Sequence, residues 1–269
     1  MSREAFPTYE VECFGRLVDG HAHLEQLEDL PRALLEARQG GVCAIVAVGM
    51  DKGSNEKALQ IARDHPRFVY PAIGYHPWTI QDSEIEETLV AIRRQIALCV
   101  ALGEIGLDYK IKVRKELQEQ VLSPLLDLAR EWDKPVILHC RFSHRRVLEM
   151  VQERGLKKAL FHWYSGPRDV LREILSEGYL ISATPALAYS LPHQDAIRYA
   201  PLDRILLETD CPVNYQGLRA TPKDVQVTLQ EVARLKALDP FLVAKQTTAN
   251  AFRFFEIPSF WGCPGVDHA

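Results

Sequence analysis

The segment Arg16-Leu17-Val18-Asp19-Gly20-His21-Ala22-His23-Leu24 is a short apolar run that ends in two histidines separated by one alanine. Side chains alternate between the two faces of an extended chain, so His21 and His23 point the same way if this segment is a strand. Two imidazoles on one face can hold one metal ion, although a His-x-His pair alone is more often structural. The segment therefore predicts a first strand that ends in a candidate metal site.

Strand-like and helix-like patterns alternate along the rest of the chain. Residues 42–48 are apolar on both faces, as in a parallel strand covered on both sides. About eight such strand-helix units favour a TIM (β/α)8 barrel with additional C-terminal helices at residues 223–235 and 240–255. An open doubly wound sheet is the alternative, but it usually carries a phosphate-binding glycine fingerprint that is lacking here. Further strands are predicted at residues 68–74, 99–104, 135–139, 159–162, 179–182 and 204–208.

Length and composition are those of one globular domain. The 269 residues carry a formal net charge of -4, which argues against coating nucleic acid non-specifically but allows a local basic cleft. Six scattered cysteines without a Cys-x-x-Cys pair predict reduced thiols and a cytoplasmic protein. No signal peptide or membrane span is expected. We expect an N-terminal extension at residues 1–15, the barrel at 16–257 and a tail at 258–269.

Imidazoles and carboxylates follow the predicted strands at their C-terminal ends, where a TIM barrel holds its active site. Each alone could be a satisfied core histidine, a helix cap or a turn residue. Polar groups are costly to bury and have no independent reason to gather at one end of different strands, so together they predict a metal site. They are His21 and His23, His76 after the third strand, Glu104 on the fourth, His139 on the fifth, His162 on the sixth and Asp210 after the eighth.

These ligand types suit one or two divalent ions and do not select strongly among Zn²⁺, Mg²⁺ and Mn²⁺. Two ions could share Glu104 and a bridging water whose pKa they lower. Asp210 could orient that water and accept its proton. The sequence therefore predicts metal-assisted hydrolysis with Glu104 and Asp210 in catalytic roles.

Basic and aromatic residues also follow the strands, and cations beside aromatic faces are the pattern of single-strand nucleic-acid binding. They could equally be solvated helix starts and core aromatics. Arg141 lies two residues beyond a predicted ligand, where a bidentate guanidinium suits a phosphate. We expect Arg141 to act in catalysis and to bind substrate together with His76, Trp163 and Arg219. The other rim residues are Lys110, Lys112, Arg114, Lys115, Arg145, Arg146, Arg168, Lys223, Tyr75, Trp78, Tyr109 and Tyr164.

Seven blocks in order resemble the TatD family of metal-dependent hydrolases and cover nearly the whole chain. The block at residues 103–109 is the most specific. The blocks are Asp19-Gly20-His21-Ala22-His23, Gly74-Tyr75-His76-Pro77-Trp78, Gly103-Glu104-Ile105-Gly106-Leu107-Asp108-Tyr109, Leu138-His139-Cys140-Arg141, Phe161-His162-Trp163-Tyr164-Ser165-Gly166, Glu208-Thr209-Asp210-Cys211-Pro212 and Asn250-Ala251-Phe252-Arg253-Phe254-Phe255.

The resemblance implies an amidohydrolase-type barrel with metal-dependent deoxyribonuclease activity. It assigns His21, His23 and Asp210 to one ion and His139 and His162 to the other, with Glu104 between them. The chain departs from the family at Phe142, where an acidic residue is common, and at Ala220, where Asn is common. The segment at residues 182–190 also lacks expected glycines. The ligand set is thus intact while the substrate rim differs.

Three functions remain open at the level of sequence. The first is a phosphodiesterase that acts on DNA ends, and we favour it. The second is a hydrolase of small amides, esters or lactones in the same barrel, which would favour a smaller, more apolar rim and often a bridging lysine in place of Glu104. The third is a non-catalytic metal-binding protein, which has no need of the water-activating carboxylate of Asp210. The oligomeric state is not predicted.

Overall fold

A computed structural model describes residues 16–258 of the chain. Its eight parallel strands follow one another in chain order in a single sheet. The predicted extension at residues 1–15, and the predicted tail beyond Pro258, lie outside the described residues. The strands are β1 (Leu17–Ala22), β2 (Val42–Val48), β3 (Val69–Ile73), β4 (Ala101–Asp108), β5 (Val136–Arg141), β6 (Ala159–Phe161), β7 (Leu180–Ala183) and β8 (Ile205–Leu207).

Helices follow the strands, and two further helices end the described chain. Among residues 16–258, none of them combines the length and the apolar character that a membrane crossing requires. The helices are α1 (Leu30–Gln39), α2 (Lys52–Asp64), α3 (Ile85–Gln95), α4 (Lys115–Glu131), α5 (His144–Glu153), α6 (Arg168–Ser176), α7 (Leu191–Tyr199), α8 (Val225–Lys236) and α9 (Pro240–Phe255).

Backbone hydrogen bonds close the sheet between β1 and the segment after β8. The Asp210 N–H donates to the His21 carbonyl at 2.9 Å, and the His23 N–H donates to the Cys211 carbonyl at 2.8 Å. Beneath this seam the buried Asp19 carboxylate accepts from the Thr209 N–H at 2.9 Å and from the Thr209 hydroxyl at 2.6 Å. The predicted TIM barrel with an added C-terminal helix is therefore confirmed, and its seam brings Asp210 beside both histidines of β1.

The barrel core is aliphatic, as the strand patterns predict. Phe254 and Phe255 of α9 pack in one cluster with inward side chains of the strands, such as Val46, Ile137 and Leu206. Ile45, Leu138 and Leu207 are also buried, whereas Cys43, which was expected in the same core, is only half-buried. The last helix thus stabilises the barrel by covering apolar strand residues.

The fourth strand is longer than its sequence suggests. The predicted strand ends at Glu104, but β4 continues to Asp108, so Glu104 lies inside the strand. A charged residue normally indicates the end of a buried strand, yet both carboxylates here are buried and hydrogen-bonded. The pairing with β5 is irregular between Leu102 and Ile105, around the position of Glu104. A short hairpin of β9 (Asn214–Tyr215) and β10 (Leu218–Arg219) was also not predicted.

Truncation of a barrel side chain tests the core. Leu206 is fully buried and Leu98 is 63% exposed, so the two leucines form a matched pair. We expect Leu206→Ala to lower the free energy of unfolding by about 2–5 kcal/mol, because it leaves a cavity. We expect Leu98→Ala to change it by less than about 0.5 kcal/mol. Urea unfolding of both variants gives the comparison, and equal losses would contradict the packing described.

Candidate metal centre

The six side chains predicted as metal ligands converge at the carboxyl ends of the strands. Five of them line a cleft of about 700 Å³ whose walls also include His76, Trp78, Arg141 and Trp163, and His21 is fully buried beside them. His21 belongs to β1, Glu104 to β4 and His139 to β5, while His23 and His162 directly follow β1 and β6 and Asp210 comes three residues after β8. Three strands and three strand ends thus position one site, as the barrel requires.

Glu104 stands at the centre of the site, with only 2% of its surface exposed. Its Oε1 lies 2.9 Å from His139 Nδ1 and 3.0 Å from His162 Nε2. Its Oε2 lies 3.4 Å from His21 Nε2 and 3.6 Å from His23 Nε2. The two carboxylate oxygens therefore face two different pairs of histidines, which is the geometry of a bridging group.

Asp210 completes the group on the Oε2 side of Glu104. Its Oδ1 lies 3.5 Å from His21 Nε2 and 3.4 Å from His23 Nε2. The ligand atoms of these three residues lie within 4.8 Å of one another, and so do those of His21, Glu104 and His162. His21 therefore belongs to two neighbouring sets of nitrogen and oxygen donors, one of which includes Glu104.

Hydrogen bonds outside the site fix which nitrogen of two histidines is free to bind. The Val48 carbonyl, at 2.9 Å from His23 Nδ1, can only accept, so Nδ1 carries a proton and Nε2 is the nitrogen that can bind an ion. The Glu208 carboxylate, at 3.2 Å from His162 Nδ1, has the same effect on His162. A metal-ligating histidine is normally oriented in this way by a carboxylate or a carbonyl.

Asp108 acts in the same way on His139. Its Oδ2 lies 3.4 Å from His139 Nε2 and accepts from Trp78 Nε1 at 2.6 Å, while its Oδ1 accepts from the Lys110 N–H at 2.8 Å. Burial raises the pKa of Asp108, but the hydrogen bonds from His139, Trp78 and Lys110 more than offset this and lower it to about 2. The ionised Asp108 therefore favours a proton on Nε2, which leaves Nδ1 to face Glu104.

His76 differs from the other histidines because its Nδ1 is an acceptor. The Trp78 N–H donates to His76 Nδ1 at 3.1 Å, so the proton of the neutral ring is on Nε2. Nε2 lies 3.2 Å from Glu104 Oε1 and donates to it. Burial is the main reason that the pKa of His76 falls to about 4, so the ring is neutral at pH 7. His76 therefore holds Glu104 in place rather than offering a free lone pair.

The charges of the site favour a bound cation. Burial raises the pKa of Glu104, but electrostatic interactions with His76 and His162 and hydrogen bonds from His139 and His162 lower it well below the ordinary value. Burial likewise raises the pKa of Asp210, which His23 and its neighbours lower again. For His23, burial lowers the pKa, and Asp210 more than reverses this, raising it to about 9. Two ionised carboxylates in one buried pocket need positive charge.

The residues present fit a divalent metal. The buried His21 Nδ1 has no hydrogen-bond partner among the described residues, so neither nitrogen of this ring is committed to one tautomer. His21 Nε2 and His23 Nε2 lie only 3.3 Å apart, and an ion bound there would replace the proton that the raised pKa of His23 favours. Imidazole and carboxylate donors at such distances are the set that binds Zn²⁺ or Mn²⁺ well and Mg²⁺ through the carboxylates.

Only some of the residues expected to bind substrate line the cleft. Arg141 and Trp163 line the cleft, and Trp163 is held there by bonds from its N–H to Ser182 and Glu208. Arg219 does not line this cleft: the β9–β10 hairpin places it in an adjacent groove, where it pairs with Glu28 at 2.6 Å. Two of the expected aromatics, Tyr75 and Tyr164, are buried in the core.

Sequence reasoning missed the acidic residues that orient the histidines. Asp19 and His21 share a strand face by alternation, so a buried carboxylate beneath the site could have been expected. Glu208 and Asp108 each lie at the end of an apolar strand, and this position is the only feature of the sequence that could have indicated their role. Glu208 Oε2 is a buried oxygen without a partner among residues 16–258, so Glu208 carries one more acceptor than its neighbours satisfy.

Comparisons with known proteins agree on one family. The family described as TatD related DNase matches residues 18–256. The 3'-5' ssDNA/RNA exonuclease TatD of Erwinia tasmaniensis is 31% identical over 246 residues, 86% of this chain and 95% of that protein. YabD of Bacillus subtilis, named an uncharacterized metal-dependent hydrolase, is 32% identical over 255 residues, 90% and 99% of the two chains. The crystal structure of YJJV, a TatD homologue of Escherichia coli, covers 91% of this chain and 100% of its own with a TM-score of 0.83 at 27% identity.

Glu208→Gln tests the hydrogen bond that orients His162. The substitution keeps the size of the side chain but removes the charge that holds the proton on His162 Nδ1. We expect the affinity for Zn²⁺ or Mn²⁺ to fall by about 10- to 100-fold, measured by isothermal titration calorimetry. Glu173→Gln, at an exposed carboxylate of α6, is the control and should leave the affinity unchanged. Equal affinities in both variants would contradict this role for Glu208.

Proposed function

The chain belongs to the TatD related DNase family of metal-dependent hydrolases, and we propose that its reaction is the hydrolysis of phosphodiester bonds at the ends of single-stranded DNA. The observation that carries the proposal is that Asp210 and Arg141 line the same cleft, beside the two sets of candidate metal ligands that share His21. A hydrolase of small amides, esters or lactones and a non-catalytic metal-binding protein are not favoured by this membership. Cys99, Cys140 and Cys211 are free thiols, and on this ground we propose a cytoplasmic location.

We assign the ligands in two sets. His21, His23 and Asp210 hold one divalent ion, and His139 and His162 hold a second, with Glu104 between them. The hydrogen bonds to Val48, Glu208 and Asp108 support this division because they occupy the outer nitrogen of His23, His162 and His139 and leave the inner nitrogen for an ion. Zn²⁺, Mg²⁺ and Mn²⁺ are the candidate ions.

Each of these residues of the cleft has a separate role in the proposed reaction. A divalent ion held there supplies Lewis-acid chemistry when bound: it polarises a phosphoryl oxygen and makes a water molecule more acidic. Asp210 then accepts the proton of the attacking water, whose oxygen forms the new bond to phosphorus as the bond to the leaving nucleotide oxygen breaks. Arg141 holds a non-bridging phosphate oxygen, since its guanidinium reaches the cleft without an ion pair among the described residues. His76 keeps Glu104 fixed and ionised.

Asp210→Asn tests the general base. The amide keeps the size of the side chain and one oxygen donor but cannot accept the proton, so kcat should fall by about 10²- to 10⁴-fold. The measurement is release of nucleotides from single-stranded DNA labelled at either end, with Mg²⁺, Mn²⁺ or Zn²⁺. The full chain with the native Asp210 is the reference, and circular dichroism checks the fold. Unchanged turnover by Asp210→Asn would overturn this assignment.

Arg141→Ala tests the substrate contact. Loss of a charged hydrogen bond to phosphate should raise KM for DNA by about 10- to 100-fold. KM for p-nitrophenyl acetate, which has no phosphate, should not change. Arg145→Ala is the matched control, because Arg145 is already paired with Asp169 and Glu173. Equal effects of Arg141→Ala on the two substrates, or turnover of acetate without any cleavage of DNA by the native chain, would exclude the DNA assignment.

A further inference from the structure

We propose that Trp78 and Phe142 form a base-stacking subsite for a single-stranded substrate, beside the phosphate held at Arg141. The subsite rests on the proposed function, because it assumes that a nucleic-acid end enters the cleft. Both rings stand at the substrate side of the barrel, after β3 and β5. Trp78 is 53% and Phe142 is 72% exposed, although large apolar side chains normally avoid water.

The two rings flank the loop after β4 and are connected through it. Trp78 Nε1 donates to Asp108 Oδ2, and the Trp78 side chain lines the cleft. Asp108 Oδ1 accepts from the Lys110 N–H, and the Lys110 ammonium lies 5.8 Å from the centre of the Phe142 ring. Asp108 therefore connects Trp78 and the backbone of Lys110 to the ligand His139, which it also contacts.

The backbone of Phe142 supports a functional reason for its exposure. Phe142 has φ of +56°, a conformation that bulky residues rarely adopt, and it directly follows the cleft residue Arg141. Strain of this kind is concentrated at binding and catalytic sites. Here the strained residue presents an exposed phenyl ring at the rim, so neither packing nor backbone preference accounts for it.

The charges around the rings fit a phosphate backbone. Within residues 16–258, the cations of the adjacent loop, Lys110, Lys112 and Arg114, form no ion pair, and neither does Arg141. Arg145, Arg146 and Arg168, on the helices after β5 and β6, are all paired with carboxylates. Unpaired positive charge is thus concentrated on the side of the cleft where the two rings are exposed.

Unpaired cations and exposed aromatic rings together favour a single strand as the occupant. The bases of a duplex are stacked on one another and present only their edges, whereas an unpaired base has a free face for an aromatic ring. Stacking tolerates any base, so the subsite would bind strand ends without sequence preference. This deepens the proposed function, since it states which form of DNA the cleft accepts and which residues recognise it.

Phe142→Ala tests the subsite directly. The full chain, with Ca²⁺ in place of the activating ions, is titrated with a single-stranded oligonucleotide that carries 2-aminopurine at one of its last three positions. Stacking on an aromatic ring quenches the fluorescence of this base. We expect Phe142→Ala to raise Kd by about 5- to 150-fold and to remove the quenching at one position. Phe142→Trp should restore both.

Two comparisons separate the ring from other effects. Phe241→Ala removes an equally apolar ring that is 54% exposed and lies at the start of α9. That helix bonds through Thr248 and Asn250 to the amino ends of β1 and β8, on the opposite side of the barrel from the cleft, so the variant should leave Kd unchanged. An oligonucleotide with an abasic site at the quenched position should bind the native chain as weakly as the unmodified oligonucleotide binds Phe142→Ala. If Phe142→Ala behaves like Phe241→Ala while the native chain binds and cleaves DNA, the subsite is wrong and the proposed function stands. If the native chain neither binds nor cleaves single-stranded DNA, both are wrong.

Discussion

The carboxylate of Glu104, buried among five imidazole rings, is the group on which the rest of the site depends. An ionised carboxylate without partners would be very costly at this depth. Here each oxygen faces imidazole nitrogens at 2.9–3.6 Å, and their charges and hydrogen bonds keep the pKa of Glu104 low. The irregular pairing between β4 and β5 allows this side chain to come from inside a strand. The fold thus places an anion where several strands end, and only cationic neighbours make that position stable.

Acceptors outside the site then decide how each ring is used. Val48, Glu208 and Asp108 hold the outer N–H of His23, His162 and His139, while the Trp78 N–H gives His76 the opposite tautomer. Similar histidines therefore differ in function, because the inner nitrogen of His23, His162 and His139 can bind an ion in place of a proton, whereas the inner nitrogen of His76 is a donor to Glu104. This difference follows from hydrogen bonds to the backbone and to buried acids, and residue type alone does not determine it.

The sequence predicts the barrel and the inner site for physical reasons that are local. Apolar strands alternate with amphipathic helices, and residues at the strand ends of a closed parallel sheet must meet. The proximity of His21 and Asp210 could therefore be predicted from the sequence alone. The role of His76 could not be predicted, because it depends on an N–H two residues away. Arg219 was expected at the substrate because it follows the last strand, but a two-stranded hairpin and an ion pair with Glu28 place it elsewhere.

The inner and outer parts of the cleft are therefore under different constraints. A change at Glu104 or at the acids that orient the histidines would leave buried charges without partners, so these positions tolerate little variation. At the rim, Phe142 and Lys110 face solvent, and their replacement exposes nothing that the core must satisfy. Substrate preference can change there without loss of the metal ligands. The departures from the family pattern at Phe142 and Ala220 lie outside the ligand set, as this division requires. Under the proposed function, the buried polar network determines the chemistry, and a few exposed rings and cations determine the choice of substrate.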